Sequence, residues 1–127
     1  MPFLNLRLAG LALTDLRRQS LQRRLTDLTE QHLAKRHDLT AVLIEEVAVA
    51  GWTVGAAPVP VAAHLEIVVT EGTNTPAQKS AFLEAVGALL REVAGPGLPV
   101  ASYGLIREIP AESWGYDGQT QAARRVA

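Results

Sequence analysis

The chain has 127 residues, of which 48% are apolar and 20% charged, with a formal net charge of −1 and no cysteine. That size suits one compact domain, and the near-neutral balance removes the broad electrostatic pull expected of a nucleic-acid or anionic-membrane binder. Without cysteine there is no disulfide, thiolate-bound zinc or sulfur nucleophile, and His32, His37 and His64 lack the spacing of a metal site.

From Phe3 to Leu8 the residues alternate, with Leu4, Leu6 and Leu8 on one face and Phe3, Asn5 and Arg7 on the other. This is the period of a half-buried strand. Thr14 or Asp15 then caps an expected helix whose stripe is Leu21, Leu25, Leu28 and His32 and whose end lies near residues 35–37. Arg17, Arg18, Arg23 and Arg24 read as its solvated face. Residues 40–48, TAVLIEEVA, form a second expected strand.

The Gly- and Pro-containing segment GWTVGAAPVPV marks a connector, after which the pattern restarts. Leu65, Ile67 and Val69 alternate as a strand, and Thr75 followed by Pro76 opens a helix with Phe82, Val86, Leu89 and Val93 on its apolar stripe. AGPGLP stops this helix; a last strand is expected within residues 99–109, followed by a Trp-containing turn and a polar tail. Leu4 and Leu65, Thr14 and Thr75, and Leu28 and Leu89 are all 61 residues apart, while Glu46 and Glu108, and Trp52 and Trp114, are 62 apart. The chain therefore reads as α+β: tandem βαβ repeats forming a four-stranded mixed sheet with two helices on one face. The expected boundaries are 1–56 for the first unit, 57–62 for the connector, 63–118 for the second unit and 119–127 for the tail.

Pro2 follows Met1 directly, so removal of Met1 leaves a free secondary amine. An α-amino group titrates near 8, and desolvation or nearby cations bring it toward neutrality, where it serves as a general base without a cofactor. The amino-terminal proline, the two βαβ units and the segments VVTEG, PAQKSAF and REIPAESWGYDGQ together resemble the tautomerase superfamily, specifically a fused two-repeat member of the 4-oxalocrotonate tautomerase group.

That resemblance implies a cofactor-independent isomerase in which Pro2 shuttles a proton in enol–keto or 1,3-proton transfer on a small 2-oxo or enol acid. It also implies a homotrimer with one proline site per chain, since the position equivalent to Pro2 in the second unit is Ala63. The family's arginine positions fall on Ala41 and Tyr103 in the second strands and near Leu13 and Thr73 in the loops leading to the helices, so dicarboxylate recognition by paired arginines is not expected in its usual form. Tyr103 matches an active-site tyrosine position of the related macrophage migration inhibitory factor, and Lys35 resembles its substrate-contacting lysine. Trp114 falls on the pocket-lining aromatic position, with Trp52 as its counterpart. Arg107, ahead of Arg7, is a further candidate to hold substrate.

Each candidate also has a structural reading. Tyr103 and Trp114 can be packing aromatics, Lys35 can complement the dipole of the first helix, and Arg7 and Arg107 can pair with Glu46, Glu66 or Glu108. Two alternatives stay open: a proline-dependent dehalogenase, hydratase or decarboxylase on the same fold, and a non-catalytic trimeric scaffold. No signal-peptide pattern and no apolar run near the ~20 residues of a membrane span occurs, so the expected location is the cytoplasm, with no membrane partner, no metal and no cofactor.

Overall fold

A computed structural model describes residues 1–125. Its elements in chain order are β1 (Phe3–Ala9), α1 (Asp15–Leu33), β2 (Ala41–Val47), β3 (Thr53–Val54), β4 (Ala57–Pro58), β5 (Ala62–Thr70), α2 (Pro76–Ala94), β6 (Gly104–Ile109), β7 (Gly115–Tyr116), β8 (Gln119–Thr120) and α3 (Gln121–Arg125). Short 3-10 turns at His37–Leu39 and Val49–Gly51 flank β2.

The main sheet has four strands in the order β2-β1-β5-β6. β1 is parallel to β2 and β5 to β6, whereas the two units meet through antiparallel β1 and β5, with Leu6 opposite Leu65. The mixed sheet expected from the repeat is therefore the one formed. Leu4, Leu6, Leu8, Leu65, Ile67 and Val69 turn their side chains to one face, where they are buried with Leu21, Leu25, Phe82, Val86 and Leu89 of the two helices. Each such side chain contributes roughly 1.5–3 kcal/mol by leaving water.

Thr14 caps α1 by accepting from the Arg17 amide, and Thr75 caps α2 in a reciprocal capping box with Gln78. α1 ends at Leu33, earlier than its sequence suggests, because Ala34 adopts a left-handed conformation at φ 55°. Its buried stripe is Leu21, Leu25, Thr29 and Leu33 rather than one ending at His32. Thr29 is accommodated because its hydroxyl donates back to the Leu25 carbonyl at 2.7 Å. The last strand of the sheet begins only at Gly104, since Pro99 to Ser102 form a turn closed by the Ser102 hydroxyl on the Pro99 carbonyl at 2.6 Å.

After β1 the chain turns at Gly10, φ 79°, where a side chain would overlap the Pro60 carbonyl, so only glycine lets the connector pass this closely. Within the expected tail, residues 119–125 form β8 and α3, while residues 126 and 127 lie outside the described part. The other face of the sheet is uncovered. It carries the ion pairs Arg7–Glu45 (3.7 Å) and Arg107–Glu66 (2.8 Å) among half-exposed Phe3, Leu43, Val47 and Leu105.

Candidate active site

Pro2 stands immediately before β1 and is fully buried. Its carbonyl accepts from the Ala41 amide at 3.2 Å, which ties the start of β1 to the start of β2. Because β1 and β5 run antiparallel, the same end of the sheet receives the ends of β5 and β6 and the hairpin that follows β6. A cleft of about 550 Å³ forms there. Met1, Pro2 and Phe3 supply one wall, the Asp38–Ala41 turn a second, and Trp114, Gly115 and Tyr116 a third.

The hairpin is held in several ways. Trp114 donates through its indole Nε1 to the Thr70 hydroxyl at 3.1 Å, and its carbonyl accepts from the Gln121 amide at 2.9 Å. Asp117 and Gly118 both have positive φ, 52° and 74°, the conformation of a two-residue Asp-Gly turn between paired short strands. Gly115 must be glycine, because a Cβ there would overlap the Gln119 carbonyl.

Cations surround the amino terminus. The half-buried Met1 amine is held below its ordinary value, first by loss of hydration and then by the positive charges of Lys35 and Arg36. Lys35 itself is held below the ordinary lysine value, chiefly by burial and next by Arg125, with Glu108 acting in the opposite direction. Its Nζ donates to the Thr73 hydroxyl at 2.7 Å, and that hydroxyl in turn donates to the Thr70 carbonyl at 2.6 Å. Arg36 grips Asp38 through two bonds, 3.1 and 2.7 Å, which hold the Asp38 carboxyl below the usual carboxylate range.

The structure brings Pro2 and Trp114 together in the cleft and sets Lys35 beside the amino terminus. It does not bring Tyr103 or Arg107 there within one chain. Tyr103 is 67% exposed and precedes β6 at the opposite end of the sheet, where its carbonyl accepts from Leu65; five residues of strand separate it from Glu108, roughly 16 Å at the usual rise. Arg107 lies on the uncovered sheet face with Nε and Nη2 on the two carboxylate oxygens of Glu66, at 2.8 and 3.3 Å. Of the positions where family arginines were expected, Ala41 does line the cleft, Leu13 lies by the groove between α1 and α2, and Thr73 receives Lys35.

Sequence reasoning did not single out Arg36, Asp38 or Tyr116. A signal for Tyr116 exists: the Asp-Gly pair after it marks a hairpin, and residues two apart on a strand, such as Trp114 and Tyr116, share a face. Among the described residues no cluster of His, Asp and Glu is arranged to hold a metal, and no helix is long and apolar enough to cross a membrane.

A scan against protein-family models finds no match, and neither does comparison with curated proteins. Solved structures do match. The R7 fused 4-OT wild-type asymmetric trimer superposes with a TM-score of 0.83 at 23% identity, covering 97% of this chain and 98% of that one. Pt0534 inactivated by 2-oxo-3-pentynoate gives 0.82 at 16% identity, covering 96% and 98%. The macrophage migration inhibitory factor-like protein of Entamoeba histolytica gives 0.75 at 18% identity, covering 94% and 97%. This chain thus has the fold of the fused 4-OT and tautomerase-superfamily proteins along nearly its whole length, and the resemblance drawn from its sequence is borne out as a fold.

Proposed function

We propose that this chain is a cofactor-independent tautomerase in which the Pro2 amine, freed by removal of Met1, acts as general base on a small 2-oxo or enol acid. The observation that carries this reading is the position of Pro2: buried at the head of a cleft, next to a Met1 amine whose basicity desolvation and the nearby Lys35 and Arg36 already lower. A base with a pKa drawn toward the working pH is free to accept a proton and still able to return it. With Met1 attached, the Pro2 nitrogen is an amide and carries no such basicity.

Lys35 supplies the positive charge that draws a carboxylate toward the amine, Arg36 being held by Asp38. Lys35 reaches the Thr73 position from the end of α1, so a cation arrives where the loop itself provides none. Trp114 shields the cleft from water. The likeness to Pt0534, a protein inactivated by the 2-oxo acid 2-oxo-3-pentynoate, supports the same class of ligand. The likeness to the R7 trimer and the uncovered sheet face support a homotrimer.

Asp38 favours a second reading, since a carboxylate in the cleft wall is what water addition in a hydratase or dehalogenase requires. Both its oxygens accept from Arg36 and its pKa is lowered, which makes it a poor base. Proton transfer without water addition is therefore preferred. The deciding experiment is ultraviolet monitoring of 2-hydroxymuconate and phenylenolpyruvate ketonisation by the Met1-free protein and by Pro2→Ala. Loss of activity in the variant is the expected result; equal rates in both remove Pro2 from the chemistry, and inactivity of both moves weight to hydration or to a non-catalytic trimer.

A further inference from the structure

Tyr116 stands two residues beyond Trp114 in the wall of the Pro2 cleft. The β7–β8 hairpin offers it little freedom: Gly115 is pressed against the Gln119 carbonyl, the Asp117-Gly118 turn is left-handed at both residues, and the Trp114 carbonyl is tied to α3. The ring is clamped as well. The Arg124 guanidinium lies 3.6 Å from its centroid, and Arg124 Nη2 donates to the Tyr116 carbonyl at 2.6 Å. Arg124 Nε is buried with no hydrogen-bond partner among the described residues, so stacking on the ring is a principal contact of this guanidinium.

A half-buried guanidinium stacked on an aromatic ring, its Nε without a hydrogen-bond partner among the described residues, is what a site uses when a group must be kept in place. Tyr116 is the one tyrosine lining the cleft. Its neighbours in the cleft wall are a buried proline and an indole, surroundings in which a hydrogen bond to developing charge is stronger than in water.

We propose that the Tyr116 hydroxyl is the group that holds the enol or enolate oxygen of the acid bound against Pro2, with Arg124 as the positioning residue that fixes its ring. This rests on the tautomerase reading of the Pro2 cleft. In the enolisation direction the Pro2 nitrogen accepts the C3 proton and the C3–H electron pair becomes the C2–C3 double bond. The carbonyl π pair moves onto oxygen, where the Tyr116 O–H donates. In ketonisation the neutral Pro2 amine takes the enol O–H proton, the O–H electron pair re-forms the carbonyl, and the C2–C3 π pair takes that proton from Pro2 at C3, leaving the amine as it began. Tyr116 keeps its proton throughout.

The test uses the full-length, Met1-free protein and its Tyr116→Phe, Arg124→Leu and doubly substituted forms, the phenylalanine preserving the ring on which Arg124 stacks. Two quantities are measured on each: the kinetics of phenylenolpyruvate ketonisation, and the calorimetric Kd of salicylate, a planar hydroxy acid that is not turned over. The expected result for Tyr116→Phe is a kcat lowered about a hundredfold, as for loss of an oxyanion donor, and salicylate binding weakened about tenfold, as for loss of one hydrogen bond. Arg124→Leu lowers kcat less, and adds nothing once Tyr116 is phenylalanine, a non-additivity that a general structural defect does not produce. Unchanged kcat and Kd in Tyr116→Phe overturn the proposal, as does a parent protein that binds no salicylate. A parent without ketonisation activity whose salicylate affinity still falls with Tyr116→Phe supports the contact and overturns the tautomerase reading instead.

Discussion

Lys79 Nζ lies 2.7 Å from Glu108 Oε1, joining the first turns of α2 to the end of β6, and Arg18 and Glu46 hold the corresponding places in the first unit at 3.3 Å. The repeat is thus preserved in a tertiary ion pair as well as in apolar periodicity. The two copies are not equal. Lys79 and Glu108 are each 28% exposed and pair with one another, whereas Arg18 divides its guanidinium between Glu46 and Asp15 and also reaches the Leu13 carbonyl.

The Lys79–Glu108 pair holds the Glu108 carboxyl below the ordinary glutamate value, with the Lys79 hydrogen bond as the largest cause. A carboxyl whose pKa is depressed on folding contributes stability that is present above its unfolded value and lost as pH falls through its folded one. Lys79→Met is expected to cost about 1 kcal/mol at pH 7, the upper range for a partly exposed pair. The deficit should shrink as pH falls below 4.5, the ordinary glutamate value, and disappear below the lowered folded value, where both proteins carry a neutral Glu108. Urea unfolding at several pH values reads it, and a deficit independent of pH would assign the loss to packing of the lysine stem.

Burial, then Lys35 and Arg36, lower the pKa of the Met1 amine, next to which the freed Pro2 amine stands. If the Pro2 amine is the base, kcat/KM rises with pH through a value below 8.0, the ordinary figure for an amino terminus. Removing the Lys35 charge with Lys35→Met raises that pKa, so the rising limb moves to higher pH, and Arg36→Met moves it in the same direction. A pH–rate profile checks this; a limb that stays in place places the titration on another group.

The Trp114 indole depends on Thr70 for its hydrogen bond. Thr70→Val keeps the shape of the side chain and removes the acceptor, at an expected cost of about 1 kcal/mol in stability. Substrate KM should rise several-fold as the indole loosens, with kcat falling less. Steady-state kinetics separate the two.

Gly115→Ala forces a methyl group into the Gln119 carbonyl. The hairpin must then open, releasing Tyr116 and Trp114 from the cleft wall while leaving the main sheet intact. The expected outcome is a large loss of activity with circular dichroism close to that of the parent, together with greater proteolytic sensitivity near residues 115–120.

The uncovered sheet face bears Phe3, Leu43, Val47 and Leu105. Leu105→Glu places a carboxylate beside Glu66, its register partner on β5, and should dissociate a trimer built on this face. Sedimentation velocity distinguishes trimer from monomer, and a parent protein that sediments as a monomer would withdraw the trimer.

Local spacing determined much of this protein. Alternation at period two placed β1 and β5, Thr14 and the Thr75-Pro76 pair started the two helices, and the offsets of 61 and 62 residues showed the repeat, because each signal is carried by residues a few positions apart. Pro2 needed no fold to be noticed, since its chemistry follows from its place after Met1. Tertiary structure decided which side chains Pro2 meets. β6 runs parallel to β5 and hence antiparallel to β1, so its end, with Trp114 and Tyr116 beyond it, arrives beside Pro2, while its beginning carries Tyr103 to the far end of the sheet. Lys35 reaching Thr73 and Arg124 lying over Tyr116 are likewise encounters between segments that only packing brings together, and no periodicity along the chain encodes them.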